Sequence, residues 1–227
     1  MAEKGGAPVG RRERKKAETR ARLVECAYRL IDEQGYDGTS LADITDAADV
    51  SARTFYLYFE SKADVALATF YEWVDTLVAA MEGRPESEPP DQMLAAALEA
   101  LRAAGCTHGN ALIGPGGGPS VPVVHALLLA EGSPEVAGGV YRAMTRATDR
   151  FSVLFGRRLG YPPGSPEPEL LAVGIAGAFV GSHRAFAARL AAGGDPGSID
   201  QLTAVCFKLF GTGLAALWEG RLGTPAG

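Results

Sequence analysis

A chain of 227 residues is long enough to bury a full hydrophobic core, as one large domain or two modest ones. Hydrophobic content of 47% is ordinary for a globular protein, and a net charge of −5 argues against nucleic acid when taken whole. Cys26, Cys106 and Cys206 are odd in number, widely spaced and without a CxxC pair, which points to reduced thiols in a cytoplasm.

The charge is unevenly distributed. Between Gly10 and Arg22 seven basic side chains, among them Arg12, Lys15 and Lys16, stand against two acidic ones. Residues 1–62 are balanced, so residues 63–227 carry the whole deficit. A basic start on a neutral head, followed by an acidic body, is how a DNA binder points one end at phosphates. The first ten residues are rich in glycine and lack the apolar segment of a signal peptide, so residues 1–15 are expected to be a disordered basic arm.

Helix one is predicted from about Lys16 to Gln34, with Leu23, Ala27, Leu30 and Ile31 as its inner stripe. Ser40-x-x-Asp43 is a capping box that opens a second helix, with Leu41, Ile44 and Ala48 at helical spacing. Asp49 falls where the turn requires left-handed backbone, which aspartate tolerates less well than glycine. Ser51 caps the next helix, in which Phe55 and Phe59 point inward and leave Arg53, Thr54 and Tyr56 off the buried face. A second capping box, Ser61-x-x-Asp64, opens a predicted rod of about 30 Å through Leu67, Phe70, Val74, Leu77 and Met81.

From about Arg20 to Leu67 the chain resembles the DNA-binding domain of the tetracycline-repressor (TetR) family. The motifs are Gly35-Tyr36, Thr39-Ser40 before helix two, and Thr-x-Tyr-x-Tyr-Phe-x-Ser-Lys from Thr54 to Lys62. The resemblance implies that Ala52, Arg53 and Thr54, headed by Ser51, approach base edges. It implies that Tyr56, Tyr58 and Lys62 grip phosphates, with Thr39 or Ser40 helping from helix two. Asp49 stands where the family usually has glycine, and Leu57 takes a place that is often polar, which bears on base preference. An arginine fork matches guanine O6 and N7 and discriminates by about 1–3 kcal/mol.

The breaker Gly83 to Pro90 ends the Ser61 rod, and helices are predicted at Asp91–Ala104, Val121–Glu131, Pro134–Leu159, Pro168–Ala192 and Ile199–Arg221. The Gly- and Pro-rich stretch from Gly105 to Pro119 is predicted to be irregular. Its glycines lack the lysine and strand of a phosphate loop. No run alternates as a strand does. The fold class is therefore all-α with about nine helices; the resemblance implies a three-helix helix-turn-helix domain over residues 16–66, then a ligand-binding and dimerisation domain over 67–227.

Pro168–Ala192 and Ile199–Arg221 are apolar on more than one face and carry small residues four apart. They are expected to pair with their symmetry mates, making a homodimer whose two heads meet half-sites of a palindromic operator. The longest apolar run, Leu170 to Gly181, falls short of the roughly 20 residues of a membrane span. The family resemblance also implies a cavity for a small apolar or amphipathic effector among the middle helices, with His125, Arg142, Arg146, Phe179 and His183 as contacts. An effector there would tilt the Ser61 helix and lower operator affinity.

His108, His125 and His183 are too scattered for a metal cluster, and Cys106-x-His108 alone is a weak pair. No nucleophile-and-base signature is present, so neither catalysis, metal nor cofactor is expected. The residues leave open a helical carrier or enzyme whose first helices only stabilise it. They also leave open a regulator with no small-molecule effector.

Overall fold

The computed structural model describes residues 10–103 and 122–193, together with Val205 and Lys208. The expected Ile199–Arg221 helix, apart from those two residues, lies outside that range, as do Cys106, His108, Cys206 and the start of the arm. The described residues form nine helices and no strand, so the protein is all-α. They divide into two compact units, residues 1–68 and 69–227.

In the first unit α1 spans Arg11–Gln34, α2 Leu41–Ala47, α3 Ala52–Phe55 and α4 Lys62–Ala66. Helix α1 begins five residues earlier than the sequence pattern marks, so Arg11, Arg12, Arg14, Lys15 and Lys16 stand on helical turns and not on a disordered arm. Good helix formers and an Arg14–Glu18 ion pair four residues apart explain the extension. Leu23, Ala27, Ile44, Phe55, Phe59 and Val65 close a core among the four helices.

The rod expected from Ser61 to Met81 is two helices. Leu67 leaves helical geometry at φ −100° and ψ 4°, with its side chain fully buried. Helix α5, Ala68–Glu82, follows at once.

In the second unit α6 spans Pro90–Ala103, α7 Pro122–Gly132, α8 Pro134–Leu159 and α9 Pro166–Ala191. Helices α7, α8 and α9 pack on one another, and α6 lies against α8. Ser133 caps α8 and Pro134 opens it, while Gly160 ends it in left-handed backbone at φ 75°. Arg150 on α8 forks onto Glu82 of α5 at 2.6 and 3.1 Å. Buried Arg158 donates to the carbonyls of Arg84 and Pro85 at 3.0 and 3.3 Å, holding the turn after α5.

Helix α9 is longer than its central apolar run. Its Pro166–Arg189 stretch is long and apolar enough to cross a membrane, at mean hydropathy 1.4. Ala172, Ile175, Ala176 and Phe179 are buried against the unit, whereas Leu170 and Val173 are exposed.

Candidate nucleic-acid interface

Two residues outside the short helices set the spacing of the first unit. Gly38 approaches the end of α1 so closely that a Cβ there would lie 2.3 Å from the Gln34 carbonyl oxygen. Asp49 takes φ 51°, the left-handed conformation that the turn demands. Around it, Asp49 N–H donates to the Asp46 carbonyl and Val50 N–H to the Thr45 carbonyl, at 3.1 and 3.0 Å. That paired pattern is a Schellman closure of α2, and it delivers the chain straight to Ser51.

The caps are formed as the residues dictate. Ser40 Oγ accepts from Asp43 N–H at 3.1 Å while the Asp43 carboxylate accepts from Ser40 N–H at 2.8 Å. The serine hydroxyl also donates to that carboxylate, and these bonds hold Asp43 below the usual carboxyl range. Ser51 Oγ accepts from Thr54 N–H at 3.1 Å, and the Ser51 and Thr54 hydroxyls bond to each other at 2.9 Å. Ser61 accepts from Asp64 N–H at 3.2 Å, and the Asp64 carboxylate accepts from Glu60 N–H.

Helix α3 is only four residues long, but the chain continues to turn through Phe59. Tyr56 N–H donates to Ala52, Leu57 N–H to Thr54, and both Tyr58 and Phe59 N–H to Phe55. Phe55 and Phe59 are buried with ring centroids 5.6 Å apart, and the Arg20 guanidinium lies 5.3 Å over Phe59. The opposite side of the same turns is open. Ser51, Ala52 and Arg53 are exposed, Tyr56 is 59% exposed and Leu57 73%. Thr54 and Tyr58 sit at the margin, half-buried. Arg12, Lys15, Lys16 and Ser40 are exposed as well.

Two residues of the sequence-based set take other roles. Thr39 is completely buried, and its hydroxyl donates to the Gly35 carbonyl at 2.8 Å, so its side chain drops out of the DNA-facing surface. Lys62 is half-buried and turns its ammonium inward. Nζ donates to the carbonyls of Tyr36 at 2.7 Å and Thr39 at 2.9 Å, and lies 3.9 Å from the centre of the Tyr36 ring. Local sequence placed this lysine at a helix start suited to phosphate; the carbonyls it serves come from more than twenty residues away. Leu57, whose place the family resemblance ties to base preference, is more exposed than Tyr56. Its position two before buried Phe59 is the signal that marks it as outward.

The proposed effector contacts separate in the second unit. His183 and Phe179 lie together, ring centroids 4.0 Å apart, and Phe179 stacks on Trp73 at 5.1 Å with planes 16° apart. His183 Nδ1 is 2.8 Å from the Phe179 carbonyl. Burial lowers the pKa of both His125 and His183 to about 4, so both rings are neutral at pH 7. Arg142 and Arg146 are exposed, and they do not line the apolar interior with the others. That interior holds a cavity of about 30 Å³ bounded by Trp73, Leu94, Met144, Phe151 and Phe179, among others. A larger open groove of about 670 Å³ runs along α7, α8 and α9.

A Schellman-closed helix, a serine-capped successor anchored by two phenylalanines and an exposed arginine beyond them define a helix-turn-helix module. The family model for "Bacterial regulatory proteins, tetR family" matches residues 23–69. Over those residues the chain is similar to the tetR family of bacterial regulatory proteins. It is 38% identical over 92 residues to the HTH-type transcriptional regulator TcmR of Streptomyces glaucescens, covering 40% of this chain and 41% of that one. It is 36% identical over 97 residues to the HTH-type transcriptional repressor DhaR of a Mycobacterium species, covering 40% of this chain and 49% of the relative. The match thus spans less than half the length of these curated relatives. In fold, Salmonella enterica GusR superposes with a TM-score of 0.56 at 19% identity, over 89% of this chain and 96% of its own. A transcriptional regulator from Aquifex aeolicus does so at 0.51 and 19%, over 87% and 99%. At those identities the likeness is one of fold.

Proposed function

We propose that the protein is a homodimeric repressor that binds a palindromic operator in double-stranded DNA and is released by a small apolar or amphipathic effector. The carrying observation is the division of α3 and its following turn into a buried Phe55–Phe59 side and an open side bearing Arg53. Ala52, Arg53 and Thr54 approach base edges. Arg53 pairs with a guanine, and Tyr56, Tyr58, Ser40, Ser51 and the α1 residues Arg12, Lys15 and Lys16 engage phosphates. The name of the DhaR relative supports repression as the sign of regulation.

Dimerisation draws support from the exposed apolar positions of α9, Leu170 and Val173, which ask for a partner. Effector binding draws support from the Trp73–Phe179–His183 stack and from the buried Trp73 indole N–H, which has no hydrogen-bond acceptor among the described residues. A ligand carbonyl or ether oxygen would satisfy it. The cavity beside the stack has room for about one water molecule, so a drug-sized effector must open it. The same small volume favours a second reading, a regulator that answers to no small molecule. The protein is assigned to the cytoplasm, where its DNA lies.

Selection of duplexes from a random pool tests the reading. Twofold-symmetric sites, affinity that falls steeply with salt, and relaxed preference at one guanine in Arg53→Ala are expected. Salt-independent binding, or an Arg53→Ala variant with unchanged preference, would remove the case for this surface.

A further inference from the structure

We propose that Leu57 is a specificity-determining residue that recognises a thymine through its C5-methyl group in the major groove. This rests on the DNA-binding reading above and adds a base identity to it. Within the first unit, Tyr56 and Leu57 are the exposed large hydrophobic residues among those described, and Leu57 at 73% is the more open. Its backbone is fixed: Leu57 N–H donates to the Thr54 carbonyl at 3.1 Å, and the next two amides close on Phe55. Buried Phe55 and Phe59 flank it in sequence on the inner side, so the leucine points away from the core, four residues beyond Arg53.

The chemistry of base edges then limits what it can read. A leucine side chain neither donates nor accepts a hydrogen bond. Facing guanine, adenine or cytosine edges, it would strip water from polar groups and offer nothing in return. Thymine alone presents an apolar group there, its C5-methyl, and contact removes both the methyl and the leucine from water. Residues four apart on a helical turn are separated by about 6 Å along the axis, and successive base pairs by about 3.4 Å. The thymine therefore lies within roughly one to three base steps of the guanine read by Arg53.

The experiment takes the duplexes selected by the full chain and replaces each thymine in turn with deoxyuridine, which lacks only the methyl. At one position per half-site the wild type should lose about fourfold in affinity, the factor one buried methyl supplies. Leu57→Ala should bind the thymine and deoxyuridine duplexes equally, whereas Leu57→Met, still apolar, should retain the preference. Leu57 is exposed, so an unchanged thermal midpoint is expected for both variants. Equal methyl dependence in wild type and Leu57→Ala, or none in either, overturns the role of Leu57 and leaves DNA binding standing. Failure of the wild type to retain any duplex overturns both.

Discussion

The Lys62 ammonium lies 2.7 Å from the Tyr36 carbonyl oxygen and 3.9 Å from the centre of the same residue's ring. With the bond to Thr39, two of its three donors serve the loop that joins α1 to α2. Lys62→Met should lower stability by about 1–2 kcal/mol, since two carbonyls lose a charged donor. Urea unfolding checks that. The slope of log affinity against log salt should stay nearly unchanged; a drop of about one unit would mean that Lys62 neutralises a phosphate.

Asp49 occupies a left-handed site where an L-residue is strained. Asp49→Gly should raise stability by roughly 0.5 kcal/mol, because relief of strain exceeds the extra entropy of an unfolded glycine. A urea midpoint unchanged or lower in this variant would show that the aspartate side chain compensates locally.

Gly38 offers the reverse experiment. Its missing Cβ would meet a backbone oxygen that has no flexible end to move. Gly38→Ala should cost about 1–3 kcal/mol, as overpacking does, and should weaken DNA binding by misplacing α2. Wild-type stability in the alanine variant would contradict the close approach.

The legibility of the first unit followed the range of the forces involved. Caps act over three residues, so Ser40, Ser51 and Ser61 were visible in sequence, as was the left-handed turn at Asp49. The Phe55–Phe59 pair was visible because one helical turn separates its members. The role of Lys62 was hidden, since its acceptors are distant in sequence. So was the break at Leu67, which has neither glycine nor proline to announce it and follows from the burial of every residue from Val65 to Ala68. In the second unit, Arg142 and Arg146 share a helix with buried residues, and periodicity alone did not set them outside the apolar interior.

The two buried imidazoles make stability depend on pH. His125 and His183 titrate near 4 when folded and near 6.5 when unfolded, so the unfolded chain binds more protons between those values. Their contribution is fully present above about pH 6.5 and is lost as pH falls toward 4. The loss is on the order of 3 kcal/mol for each at most. Unfolding free energies at pH 7 and pH 5 should differ markedly for the wild type. The difference should shrink in His183→Gln, and an equal pH response in that variant would show that His183 is not a source of it.

One consequence of the α3 turn concerns how such a protein changes over time. Anchoring falls to the phenylalanines, while Arg53 and Leu57 carry no duty inside the globule. Those two positions can be exchanged without disturbing the scaffold; if they read bases as proposed, a descendant could acquire a new target sequence in single steps, each one leaving a folded protein behind.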